Sequence, residues 1–156
     1  MKAVSANQRI YQAALKYKGV CEIPGPKSNR LIQGWIKQAA EWLGDDDSAV
    51  AWCGCFRGGI GIETMTGTPP AFYRALNWST WGDEVDVTKP ETWQQGDTLV
   101  MPRRGGNHVT LLSEVKGRSA LCLGGNQSDS VNIASFPLSR IAHVRRAPDT
   151  LCGCTC

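Results

Sequence analysis

The chain has 156 residues, 42% of them hydrophobic, and a formal charge of +3, which is the composition of one globular domain. No apolar run approaches the ~20 residues that cross a bilayer, and the first residues lack the pattern of a signal peptide. The positive charge suits an anionic polymer but is too small and scattered to indicate nucleic-acid binding. We therefore expect a protein that is made in a cytoplasm, does not insert into membranes and has no nucleic-acid partner.

The seven cysteines are odd in number, and their spacing does not form the even framework of a disulfide-stapled domain. Cys21 and Cys122 are expected to be buried thiols. Three more crowd the end of the chain: Cys152, Cys154 and Cys156. We therefore expect a single domain over residues 1–148 and a poorly ordered tail over 149–156. A metal site made of these three cysteines and His143 is an alternative, but it would be a poor tetrahedral set.

Helical periodicity begins close to the N-terminus. Ser5 and Gln8 have the spacing of a capping box, and Gly19 is placed to end the helix that they begin. Residues 23–26 then have the composition of a turn. The apolar stripe of this first helix consists of Ile10, Ala13, Ala14 and Tyr17.

A second helix is expected to begin at a Ser28 or Asn29 cap and to end at Gly44. Its buried side should carry Leu31, Trp35, Ala39 and Trp42 or Leu43. An acidic loop follows, made of Asp45, Asp46 and Asp47. These carboxylates could bind calcium, or they could lie in a solvated loop that supplies a helix cap. The spacing of an EF-hand is absent, which favours the cap.

A third helix is predicted from Trp52 to about Ile62, although it contains four glycines. Each glycine costs ~1 kcal/mol relative to alanine in a helix, so their number indicates either a short helix or very close packing against a sheet. A fourth helical segment is predicted to open at Thr68, because proline is tolerated in a first turn. Its apolar residues would be Phe72, Tyr73 and Leu76.

The second half of the chain has the texture of strands. Gly96 and Asp97 form a turn, in which the aspartate is expected to accept from its own backbone. Residues 85–87 are a loop or a short edge strand. Five further strands are predicted at 98–101, 108–115, 120–123, 131–134 and 141–145. Helices followed by a meander of strands indicate an α+β fold with one antiparallel sheet.

Cys53 is the candidate nucleophile, because it opens the third predicted helix. Free N–H groups and the dipole at a helix N-terminus stabilise a thiolate, and so lower the cysteine pKa from its ordinary value near ~8.5. The same N–H groups can form part of an oxyanion hole. Cys55 competes for this role but faces another direction of the helix. The alternative is that both are inert buried thiols.

His108 is the candidate base and Asn126 the candidate residue that orients it. Alternation along the strand puts His108 on one face with Thr110 and Leu112, and we expect the cysteine helix to cover that face. The amide of Asn126 could hold the far ring nitrogen without adding charge. The alternatives are that His108 is a strand-edge histidine bonded to a turn, and that Asn126 belongs to an ordinary turn sequence. Gln127 and Asp129 are less favoured for this task. His143 is expected at the surface, beside Arg145 and Arg146, which like Arg103 and Arg104 should be solvated.

The order of these segments resembles the papain-like cell-wall peptidases, the broad group of NlpC/P60 and CHAP domains. The resemblance runs from about residue 9 to Pro148, and its most specific parts are Trp52-Cys53, His108-Val109 and Leu123-Gly124-Gly125-Asn126-Gln127. Two positions depart from the pattern: Cys55 stands where a small residue is usual, and Thr110 replaces a frequent glycine.

This resemblance implies a papain-like fold with a cysteine-bearing helix on one antiparallel sheet. It implies that Cys53, His108 and Asn126 hydrolyse an amide bond in or next to the stem peptide of peptidoglycan, without a cofactor. The neighbouring Trp52, Asn107 and Gln127 would contact the substrate. A monomeric phage endolysin that reaches the wall after release from the host cytoplasm fits this description.

Two other functions stay open. An injected antibacterial amidase effector would have a similar sequence. A non-catalytic module that binds the cell wall on a papain-like scaffold is the alternative outside enzymes, and the presence of a full Cys, His and Asn set favours the enzyme over it.

Overall fold

The computed structural model describes residues 3–23 and 27–149. Three α-helices, α1 (Ala6–Leu15), α2 (Arg30–Ala39) and α3 (Cys53–Glu63), precede the sheet in sequence. None of the helices in the described ranges is long and apolar enough to cross a bilayer. Residues 24–26 of the expected turn and the cysteines at 152, 154 and 156 lie outside the described residues.

Six strands form one antiparallel sheet in the order β1-β6-β2-β3-β4-β5. Their bounds are β1 (Asp83–Val85), β2 (Thr98–Arg103), β3 (Gly106–Lys116), β4 (Ser119–Gln127), β5 (Ser130–Pro137) and β6 (His143–Arg146). The α+β class with one antiparallel sheet is therefore confirmed, and residues 83–85 form its short edge strand. Asp97 also keeps its predicted place, since its side chain accepts from the N–H of Gln94 in its own turn.

The two faces of this sheet have different neighbours, and we name them the helix face and the far face. Residues on the helix face pack in one cluster with the helices, among them Leu111, Leu123 and Val131. Residues on the far face form a separate cluster that includes Leu99, Met101, Leu112 and Cys122. Because side chains alternate along a strand, each residue of β3 belongs to one face or the other.

The first two helices begin where their caps predict. The Ser5 side chain accepts from the N–H of Gln8 at 3.1 Å, and the Gln8 side chain accepts from the N–H of Ser5 at 2.9 Å, which completes the capping box. Asn29 rather than Ser28 caps α2, by accepting from the N–H of Leu31 at 2.9 Å. Both helices thus start from local side-chain chemistry.

The predicted extension of α2 to Gly44 is wrong. Ala40 has an extended backbone, with φ of −169°, so the helix ends at Ala39 and a separate 3-10 turn, Glu41–Leu43, follows. This turn rotates Trp42 to the surface, where its side chain is 72% exposed and meets the ring of Tyr73 at 5.3 Å. Leu31, in the first turn of α2, is also exposed rather than buried.

The glycines of α3 do allow close packing, but against other partners than the sheet. A Cβ at Gly54 would lie 2.6 Å from the carbonyl oxygens of Phe72 and Tyr73, and one at Gly59 would lie 2.7 Å from the Trp35 ring. Contacts under 3.0 Å would force the neighbour to move. The helix therefore needs glycine so that the following loop and α2 can approach its backbone.

The fourth helix predicted from Thr68 is not formed at that place. The chain makes turns as far as Arg74, and only Ala75–Thr80 is helical, as a 3-10 helix. The Asn77 side chain donates to the carbonyls of Pro70 and Ala71, at 3.0 Å and 3.2 Å. The Asn77 side chain thus bonds carbonyls that backbone N–H groups would bond in a helix. The loop before Ala75 can therefore pack on the glycines of α3 without being helical.

Candidate functional site

Cys53 is the first residue of α3, as the sequence predicts. Trp52 occupies the N-cap position, but its side chain makes no capping bond to the helix, and the first turn contains no acidic residue. The Cys53 side chain is 2% exposed and packs on the helix face against Trp78, Val100 and Val109. The first turn thus adds no negative charge of its own beside the thiol, which lies in an apolar setting.

The other cysteines in the described part of the chain divide between buried and exposed positions. Burial and, to a smaller extent, the neighbouring Cys53 together raise the pKa of the Cys55 thiol to about 12. Cys122 is buried as predicted, and burial likewise raises its pKa to about 12. Cys21 is exposed, so its prediction as a buried thiol is wrong. It lies where the chain forms an isolated bridge to Ser130.

His108 lies on the far face of the sheet, in a polar pair with Gln127. Its Nε2 atom is 3.0 Å from the Gln127 Oε1 atom, which also accepts from the Thr110 hydroxyl at 2.8 Å. Burial lowers the pKa of His108 to about 4, and the charges of Arg103 and Arg140 lower it too, whereas the bond to Gln127 raises it. The imidazole is therefore neutral at neutral pH.

The orientation of Gln127 decides which ring nitrogen carries the proton. Its Nε2 donates to the Cys122 carbonyl and to the Asn132 carbonyl and side-chain oxygen, at 2.9–3.1 Å. Its Oε1 is therefore the atom that faces His108, and it can only accept. The proton of the neutral ring must be on Nε2, which leaves Nδ1 as a hydrogen-bond acceptor. Nδ1 is buried and has no partner among the described residues.

The structure does not bring Cys53 and His108 together. His108 pairs with Met101 across the β2–β3 ladder, and Val109 pairs with Val100. Met101 belongs to the far-face cluster, whereas Val100 and Val109 pack with Cys53. The expectation that α3 covers the face of His108 is therefore wrong. The predicted alternation holds, but Val109 and Leu111 face the helices instead.

Asn126 does not orient the histidine either. It has a positive φ of 56° at a register shift between Gly124 and Gln127, near the end of β4. That shift turns the next side chain, Gln127, toward His108. Gln127 was the less favoured residue on sequence grounds. Thr110 is the signal that could have identified it, because a threonine two residues after the histidine puts a second polar group on the same face.

Of the three expected substrate contacts, Trp52 and Gln127 have structural partners. Trp52 is fully buried, donates from its indole nitrogen to Glu22 at 2.8 Å and stacks on Trp35. Gln127 is held by the bonds described above. Asn107 lies half-buried at the end of the β2–β3 hairpin, opposite Pro102. In the described arrangement Trp52 offers no surface to a substrate.

Arg57 is a residue that the sequence reasoning missed. It lies one turn after Cys53 on α3, is 1% exposed, and its Nε donates to the Thr98 hydroxyl at 3.1 Å. Its guanidinium carbon lies 4.4 Å and 4.9 Å from the ring centres of Trp78 and Trp81. Burial lowers its pKa to about 9. The signal was an arginine inside a run of glycine and apolar residues.

A cavity of about 240 Å³ lies on the far face of the sheet, and we name it the far-face cavity. Its lining includes His108 and Gln127, the guanidinium-bearing side chains of Arg103 and Arg140, and the ring of Phe136. The His108 and Phe136 rings are 5.7 Å apart. The sequence predicts Arg103 at the solvated surface and gives no sign that it lies near the histidine.

Several charged residues that the sequence singled out have structural roles. Asp47 is buried and accepts at 2.8 Å from the N–H of Asn29, the residue that caps α2. It therefore holds that cap in place but is not a helix cap itself, and α3 receives no side-chain cap, so the expected solvated loop with a helix cap is wrong for Asp47. The prediction that Arg146 is solvated is wrong, because its guanidinium forms an ion pair with buried Asp97 at 2.8 Å. His143 is exposed, as expected. Within residues 3–23 and 27–149, no group of three potential ligands is placed to hold a metal ion.

Comparison with known proteins adds no assignment to this geometry. No protein-family model matches the chain, and no curated protein is significantly similar to it.

Proposed function

We propose that this chain is a peptidoglycan hydrolase that cleaves an amide bond in or next to the stem peptide with the thiol of Cys53. The observation that carries the proposal is the position of Cys53 as the first residue of α3, at a terminus with no capping side chain and no acidic residue in its first turn. Free N–H groups at such a terminus favour a thiolate and can bind an oxyanion.

The proposed reaction has two stages. His108 takes the proton of Cys53, and the sulfur attacks the amide carbonyl while the N–H groups of the first turn of α3 hold the oxyanion. His108 then protonates the leaving amine, and water hydrolyses the thioester that remains. The chain requires no metal or organic cofactor for these steps.

This reaction requires the imidazole to move from the far face to the helix face. His108 is the third residue of β3; Gly105 in the preceding turn and Gly106 at the start of the strand both have positive φ. Rotation of this hairpin end would break the bond to Gln127 and the adjacent ladder pairing. Each broken hydrogen bond costs about 1 kcal/mol net, so the rotation costs a few kcal/mol of free energy. A conformer at that free energy can be populated as a minor state.

A second candidate is a non-catalytic module that binds the cell wall. The separation of Cys53 and His108 on opposite faces of the sheet favours it, because the described arrangement has a thiol without a base. Such a module would bind peptidoglycan through the same scaffold without any need for the hairpin to move.

A lysis assay on purified cell walls separates the two candidates. We expect the wild-type protein to lower the turbidity of the walls, and Cys53→Ala and His108→Ala each to abolish that lysis. Cys55→Ala is the matched control, since it removes a thiol two residues away, and it should keep most of the activity. Full lysis by Cys53→Ala would exclude the thiol mechanism.

Sedimentation with the same walls completes the test. A protein that co-sediments with walls but never lyses them is the binding module. Where lysis occurs, mass spectrometry of the released muropeptides identifies the bond that is cut. A neighbouring holin gene would support an endolysin, and a neighbouring immunity gene an injected effector.

A further inference from the structure

The far-face cavity contains two positive charges and no negative one. Arg103 and Arg140 both line it, and no aspartate or glutamate does. Among the described residues neither arginine has an ion-pair partner within 4 Å. Arg140 donates to the Pro102 carbonyl at 3.2 Å and lies 5.6 Å from the ring centre of Phe136, which holds its guanidinium over the cavity wall. An anionic ligand would therefore be the natural partner for these two arginine side chains.

One residue that lines this cavity, His108, also has a buried hydrogen-bond acceptor without a partner. His108 is 3% exposed, and its bond to Gln127 fixes the proton on Nε2, so Nδ1 has a lone pair and no donor to meet it. A buried polar atom without a partner costs about 1–3 kcal/mol. The missing partner must be an N–H or O–H donor, since an anion alone cannot donate to Nδ1.

We propose that the far-face cavity binds the C-terminal residue of a short peptide, with the carboxylate held by Arg103 and Arg140 and the amide N–H of that residue donated to His108. A terminal peptide residue has these two groups on one carbon atom. The cavity has a volume of about 240 Å³ and is open to solvent, so a terminal residue can occupy it while the rest of the peptide stays outside. Ala134 and Phe136 supply apolar wall for its side chain.

This inference goes beyond the proposed hydrolysis and does not depend on Cys53. His108 serves the cavity only from the far face, so occupation of the cavity and proton transfer from Cys53 exclude each other. Binding and lysis can therefore be measured, and can fail, separately.

The test is a calorimetric titration of the full chain with N-acetylglycine, which has both groups. Acetate lacks the amide N–H, and N-acetylglycine methylamide lacks the carboxylate. We expect N-acetylglycine to bind, acetate to bind several-fold more weakly, and the methylamide to show no binding. Inorganic phosphate is the fourth probe, and tighter binding of phosphate than of N-acetylglycine would overturn the proposal in favour of a general oxyanion site.

Variants locate the binding in the cavity. Arg140→Gln and Arg103→Gln should each weaken N-acetylglycine binding about tenfold, the effect of removing one charge-assisted hydrogen bond. Arg104→Gln removes the same charge from the adjacent exposed position, which does not line the cavity, and should leave binding within about twofold. Equal weakening by Arg104→Gln, or no binding by the wild-type protein, would refute the site. Cys53→Ala should bind like the wild type even though it has no lytic activity.

Discussion

Acidification should destabilise the protein through His108, and the variant His108→Gln should remove that part of the pH dependence. The ring is 3% exposed, and burial lowers its pKa to about 4. In the unfolded chain the same group has a pKa near ~6.5. Between these two values the unfolded state binds more protons than the folded state, so the free energy of unfolding falls as the pH is lowered.

The magnitude follows from the two pKa values. The stability that neutral His108 preserves is fully present above about pH 6.5 and is lost progressively down to about pH 4. A difference of about 2.5 units at ~1.4 kcal/mol each makes the loss roughly 3 kcal/mol between pH 7 and pH 4. Glutamine cannot take up the proton, so the variant should lose about 3 kcal/mol less than the wild type over this interval.

Urea unfolding at pH 7 and pH 4, followed by circular dichroism, measures this difference. His143→Gln is the matched control, because it replaces the exposed histidine of β6, and it should keep the pH dependence of the wild type. Equal losses in the wild type and His108→Gln would mean that the imidazole is not buried in the folded protein. The far-face location of His108 would then be refuted, together with the cavity argument built on it.

Three further predictions concern packing and reactivity. Gly125→Ala should destabilise the protein by about 1–3 kcal/mol in urea, because its Cβ would lie 2.7 Å from the Trp52 ring; no loss would contradict that contact. Asp97→Asn should cost about 3 kcal/mol in thermal unfolding, since it removes the buried partner of Arg146, and a loss below ~0.5 kcal/mol would show that the pair contributes little. Cys55 should resist iodoacetamide at pH 8 until denaturant is added, because its pKa is about 12, and mass spectrometry of the labelled peptides would detect any earlier reaction.

Local chemistry explains why much of the fold was predictable. The capping box at Ser5, the cap at Asn29 and the helix that opens at Cys53 each depend on residues within one or two turns of one another. The strands follow from short runs of β-forming residues between turn residues. The order of helices before strands was enough to predict an α+β fold with one antiparallel sheet.

The candidate site depended on information that is not local. The alternation of side chains puts His108 and Val109 on opposite sides of β3. It does not predict which side α3 covers, because the alternating pattern is the same whichever face is buried. That side was decided by packing, in which Val109 and Leu111 are buried under the helices and His108 is left to Gln127. A register shift in β4 then makes Gln127, rather than Asn126, the residue that bonds His108.

Two arginines of the chain differ for the same physical reason. Arg57 and Arg103 have the same charge in the sequence, yet one is buried between two tryptophans and the other lines a cavity. Secondary structure is set by neighbours along the chain, so it can be derived from short segments. The chemistry of a site is set by which side chains meet across segments far apart in sequence, and only the packed core determines those meetings.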